Sequence, residues 1–145
     1  MITLAFYKGS GRTRWERLKD SAIRFATCGI YSHVELIEGA PELGQLALCY
    51  SSSSRDGGVR AKWIPLDPGR WDLVHLPIDS GLAVDFIQQR IGAKYDYLGI
   101  LLSHVLAASS HDKQRWFCSE ICAAAIGFDQ PNRFSPQLLF DLVTL

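Results

Sequence analysis

Two residue types in this 145-residue chain could carry covalent chemistry, four cysteines (Cys28, Cys49, Cys118, Cys122) and four histidines (His33, His75, His104, His111). Cys118 is the cysteine whose setting suggests a nucleophile. It stands in "RWFCSEICAAAIG" (residues 115–127), where a bulky extended stretch gives way to an Ala-rich helical pattern closed by Gly127. A thiol at the first turn of a helix ionises more readily, because the unpaired N–H groups and the dipole favour the thiolate. The same N–H groups can hold the oxyanion formed when a carbonyl is attacked. Cys122 lies one turn further in, among alanines, and reads as a small core residue.

A nucleophilic thiol needs a base. In "YSHVELIE" the alternation puts Val34 and Leu36 on one side, and Tyr31, His33 and Glu35 on the other. His33 therefore points away from the apolar face. His75, in "DLVHLPI", reads as a satisfied core or edge histidine. His104 falls in an apolar helical stretch, and His111 in a polar loop near Cys118, which makes it the second-ranked base. An imidazole base is usually held in orientation by a third polar group. If "EGAPELGQ" closes a hairpin, the next strand brings Ala47, Cys49, Ser51 and Ser53 to the side of His33, with Leu46 and Leu48 on the core face. Ser51 is then the first choice for the orienting group. Glu35 is the stronger acceptor but has to bend back along its own strand. Tyr95, Asp96 and Ser119 are candidates to line the substrate site, although Asp96 is also accounted for as the cap of the following helix.

These residues need elements to position them. "ITLAFYK" reads as a first strand, and Thr13 to Cys28 as a helix with Trp15, Leu18, Ala22, Phe25 and Ala26 on its apolar face and Gly29 as its stop. Strands follow in "YSHVELIE", "QLALCYSSS", "GGVRAKWIPL" (Val59, Ala61 and Trp63 inward) and "RWDLVHLPI". Helices follow in "LAVDFIQQRIG", "DYLGILLSHVLAA", "CSEICAAAIG" and "SPQLLFDLV", the last capped by Ser135 with Pro136 in its first turn. The polar "SSHDKQ" joins the second of these to the third. Strands early and helices late predict a single α+β domain over 1–145, an antiparallel β-sheet packed by helices.

Composition narrows the function classes. With 48% apolar residues and fifteen basic against fifteen acidic side chains, the chain is an ordinary globule without the basic footprint expected of a nucleic-acid binder. The local excess "GRTRWERLK" is interrupted by Glu16 and reads as a solvated helix face. "KGSGR" lacks the ending and spacing of a phosphate loop. No secretory leader or membrane-length apolar run is visible, which predicts cytoplasmic synthesis without stable membrane insertion. Cys118 and Cys122 four apart are poor grounds for zinc, and no metal or organic cofactor is implied.

In order and type, three segments resemble the circularly permuted branch of the NlpC-type papain-like cysteine hydrolases, which includes the YiiX-like hydrolases and the lecithin:retinol acyltransferase-like enzymes. They are "YSHVELI", "AKYDYLGIL" and "WFCSEICAAA", spanning about residue 30 to about 126. In that branch the histidine strand precedes the cysteine helix, as here. The resemblance implies a permuted papain-like core, Cys118 as nucleophile, His33 as general base, and a third polar residue on the strand after His33, where Ser51 lies. Relatives often have a small residue two places after the histidine; this chain has Glu35, whose charge would favour protonated His33 and strengthen an ion pair with the thiolate. The implied reaction is hydrolysis of an amide or peptide bond, of the cell-wall type, reached from the cytoplasm by lysis or a virion. Acyl transfer or hydrolysis on lipids by the same pair, with "YLGILLSHVLAA" lining an acyl groove, and a non-catalytic phage structural or binding module are the alternatives. The partner expected is a peptide or acyl substrate; sequence leaves the oligomeric state open.

Overall fold

The first strand, β1 (Ile2–Tyr7), is buried at all six residues, because it has neighbours on both edges and packing on both faces. That explains its nearly continuous apolar sequence. Ile2, Leu4 and Phe6 enter the main core, while Ala5 and Tyr7 join a smaller cluster on the opposite face. The computed structural model describes residues 1–96 and 114–145. Within them β2 (His33–Glu38), β3 (Leu46–Ser53), β4 (Gly58–Pro65), β5 (Trp71–Leu76), β6 (Lys94–Tyr95) and β7 (Arg115–Trp116) complete one seven-stranded sheet in the order β5-β1-β2-β3-β4-β6-β7. Its pairings are antiparallel except β6 with β7, which is parallel, so the expected antiparallel sheet is mixed at this edge. Gly58 permits the β4–β6 junction. A side chain there would bring its Cβ to 2.0 Å from the Ala93 carbonyl oxygen.

The helices are α1 (Arg14–Thr27), α2 (Ser80–Gln88), α3 (Cys118–Ala125) and α4 (Pro136–Val143). The fold class is thus α+β, as expected. Asp79 caps α2 and Ser135 caps α4, each accepting from backbone N–H groups of the first turn. The main core lies between one sheet face and α2, α3 and α4, with Ile87, Ile121 and Leu139 fully buried. No helix among the described residues is long and apolar enough to cross a membrane. The expected helix "DYLGILLSHVLAA", with His104, the loop bearing His111 and the proposed acyl groove fall almost entirely outside the described residues.

α1 departs from expectation. A capping box between Thr13 and Glu16 starts it, and Cys28, rather than Gly29, adopts the left-handed conformation that ends it (φ 51°). Its expected apolar face points outward, with Trp15 67%, Leu18 62% and Phe25 89% exposed. The inward face is polar. Asp20 accepts from the Gly11 N–H (2.9 Å), and Arg24 donates to the Lys8 and Gly9 carbonyls. Periodicity identified two faces correctly but assigned them to the wrong surroundings. β4 is split, with Val59 buried in the main core as expected but Trp63 61% exposed and Arg60 turned into the protein.

Candidate active site

Residues two apart on a strand share a face, and on β2 this puts the His33 and Glu35 side chains side by side. Glu35 Oε1 lies 2.7 Å from His33 Nε2, and its carboxylate is fully buried. The orienting contact on the ring is therefore made by Glu35, which needs no more than its own length. Ser51, expected in that role, is turned elsewhere. Its hydroxyl donates to the Val34 carbonyl at 2.7 Å.

That bond has a structural consequence. The β2–β3 ladder pairs Leu36 with Tyr50 and Ile37 with Cys49. One step further, the Ser51 hydroxyl takes the place of a backbone donor at Val34. Cys122 Sγ approaches the same carbonyl at 3.9 Å, so α3 is seated against the sheet where the two strands part. One turn earlier on α3, Cys118 is brought up to His33. Burial pulls the His33 pKa down, but its neighbours Cys118 and Glu35, the latter through a hydrogen bond of 2.7 Å, outweigh burial and the value rises to about 9. Cys118 and His33 are thus close enough to interact electrostatically.

Glu35 is itself held from two strands away. Arg60, on β4, lies opposite Ser51 in the register, and its guanidinium passes over that small residue to grip Glu35 with two nitrogens, at 2.7 and 2.5 Å. Asp56 holds the Arg60 Nε at 2.9 Å, and Lys62 Nζ holds Asp56 at 3.0 Å. From His33 outward, the charges alternate through Glu35, Arg60, Asp56 and Lys62. Burial raises the Glu35 carboxyl, but His33 and Arg60 more than offset it and hold the group down at about 2. An isolated buried carboxylate is costly, whereas this one has a cation on each side. Sequence reading missed Arg60 and Asp56. The signal lies in the β3–β4 register, which sets Arg60 across from Ser51, and sequence alone did not supply it.

A cavity of about 940 Å³ opens on the sheet face opposite the main core, with His33, Glu35, Arg60 and Tyr95 on its wall and α1 along one side. Its lining is mixed, with Trp63, Ile64 and Trp71 beside several charged groups. Cys118 is only 1% exposed and adds nothing to this wall. A molecule in the cavity meets His33 first, and reaction at sulfur requires that wall to part locally. Of the three expected substrate contacts, Tyr95 lines the cavity. Asp96 is buried, its N–H donating to the Trp116 carbonyl, and Ser119 is buried with its hydroxyl on the Phe134 carbonyl at 2.5 Å. Tyr31, expected beside His33, instead packs against Phe6 and Phe140 and donates to Asp72 at 2.7 Å.

The remaining cysteines and histidine take structural places. Burial pushes the Cys122 and Cys49 thiols up, which makes them inert. Cys28 is exposed at the end of α1. His75, on edge strand β5, lies 2.8 Å from the Thr3 hydroxyl through Nδ1. Among the described residues no group of three or more His, Cys, Asp or Glu side chains could hold a metal ion. No family model matches the chain, and no curated protein matches it.

Proposed function

We propose that this protein is a cysteine hydrolase of amide or peptide bonds. The observation that carries the reading is an imidazole, His33, fixed through one ring nitrogen by a buried carboxylate and lying within electrostatic reach of a helix-start thiol, Cys118. Beside Cys118 and Glu35, His33 stays protonated to about pH 9 and so holds the proton that the leaving amine needs. In the first half-reaction Cys118 Sγ attacks the carbonyl carbon, and first-turn N–H groups of α3 receive the developing oxyanion. The tetrahedral adduct collapses as His33 passes its proton to the leaving nitrogen. The amine departs and a thioester remains on Cys118. In the second, His33 takes a proton from water, the hydroxide attacks the thioester, and the acid leaves with the thiolate restored.

Peptides of the cell-wall type are the substrate class that the permuted papain-like resemblance favours. The apolar part of the cavity, with Trp63, Ile64 and Trp71, supports one second reading, transfer or hydrolysis of acyl groups through the same thioester. Turnover of muropeptides and of a fluorogenic fatty-acyl ester, with trapping of the acyl-enzyme and peptide mapping, separates the two. The first reading expects a peptidyl mass on Cys118 and turnover lost in Cys118→Ala and His33→Ala. Ester turnover alone would select the second. No turnover and no adduct on Cys118 with either substrate class would remove both and leave a binding module.

A further inference from the structure

The inverted helix α1 is exposed in a way its neighbours are not. Trp15, Leu18, Ala22 and Phe25 recur at three- and four-residue spacing and form one outward apolar ridge. The helix is held to the protein by the opposite, polar face, through Glu16, Asp20 and Arg24. Because both acidic residues of α1 are turned inward, the outward surface carries one sign of charge, with Arg14 exposed at the edge of the ridge and Arg17 exposed further round the helix. On a helical wheel Arg14 and Lys19 bracket the apolar stripe from its two sides. Lys19 Nζ also stands over the Trp15 ring, 5.7 Å from its centroid.

We propose that α1 docks this protein onto an anionic lipid surface, lying in the plane of the interface without crossing it. A convex ridge of Trp, Leu and Phe bordered by Arg and Lys is the composition that settles at the headgroup boundary. The aromatic and aliphatic groups enter the acyl region and the guanidinium groups reach back to phosphates. A second copy of this chain fits the ridge poorly. Two such faces would set Arg14 and Lys19 of each near those of the other, and the acidic groups of α1 that could compensate are on its far side. An acidic protein would satisfy the arginines but would need a matching apolar groove for the ridge. The proposal does not depend on the catalytic reading, although α1 also borders the cavity, so docking would set that opening near the lipid surface.

The test is flotation of the intact protein with vesicles of phosphatidylcholine alone and of an equimolar phosphatidylcholine–phosphatidylglycerol mixture. Binding is expected to the anionic vesicles, to weaken with added salt, and to be minor on the neutral ones. Leu18→Ala with Phe25→Ala, and separately Arg14→Glu with Arg17→Glu, should each weaken partitioning about ten-fold or more. Both pairs are exposed and should leave the melting temperature in place, and Cys118→Ala should bind like the unsubstituted protein. Absence of binding to anionic vesicles, or binding that ignores the apolar pair, would overturn the proposal. So would vesicle-free self-association lost in the apolar pair, which would give the ridge to a second copy. Retention on a polyaspartate resin that tracks the arginines, without vesicle binding, would give it to an acidic polypeptide.

Discussion

Replacing Glu35 by Gln keeps the shape of the side chain and removes its charge from the His33 ring. The rise of His33 from 6.5 to about 9 corresponds to about 3 kcal/mol in favour of the imidazolium. Cys118 and Glu35 both contribute to that rise. Losing the Glu35 charge also leaves the Arg60 guanidinium close to the ring with only Asp56 to neutralise it. Both changes disfavour the protonated ring. The alkaline limb of kcat/KM, which reports the His33 proton needed by the leaving amine, should move down by about one pH unit or more. Well above neutral pH the rate should then fall about ten-fold or more, while the acidic side changes less. The assay is kcat/KM against pH, on whichever muropeptide or acyl ester the unsubstituted protein turns over. An alkaline limb that stays in place in the folded variant would refute the coupling between Glu35 and the base.

Arg60→Met strands the Glu35 carboxylate in a buried site with one cation instead of two, so it should cost about 3–5 kcal/mol in urea unfolding, and adding Glu35→Gln should recover part of that loss. Ser51→Ala should cost about 1–3 kcal/mol by leaving the Val34 carbonyl short of its donor, yet leave the pH profile alone; a displaced profile would restore Ser51 to the role first expected of it. Stability should also follow the pair's titration. The Glu35 contribution is present above about pH 4.5 and lost as pH falls toward 2. The His33 contribution is complete below about 6.5 and lost as pH rises through 9. Urea midpoints measured across pH should therefore decline at both ends, and a His33→Ala variant should lose the alkaline decline.

How much of this was legible in the sequence depends on whether a feature is local. The His33 strand, the Cys118 helix start and the Ser135 and Pro136 cap are local, and all three are where their patterns put them. The partner of His33 was misjudged because strand parity places Glu35 on the right face but says nothing of how far a three-carbon side chain leans. Arg60 depends on strand pairing two neighbours away, and pairing register does not follow from composition. The two-residue strands β6 and β7 are too short for any alternation to appear. α1 shows a different limit. A periodic apolar stripe identifies a face but not its surroundings, and here the acids and Arg24 of the other face make the contacts with the protein.

The central claim is that Cys118 and His33 act as a pair, and its most direct measurement is an NMR titration of the His33 ring in the intact protein and in Cys118→Ala. The account predicts that His33 titrates near pH 9 in the former and distinctly lower in the latter, because Cys118 helps to hold its proton. A ring that titrates near 6.5 in both proteins would contradict it.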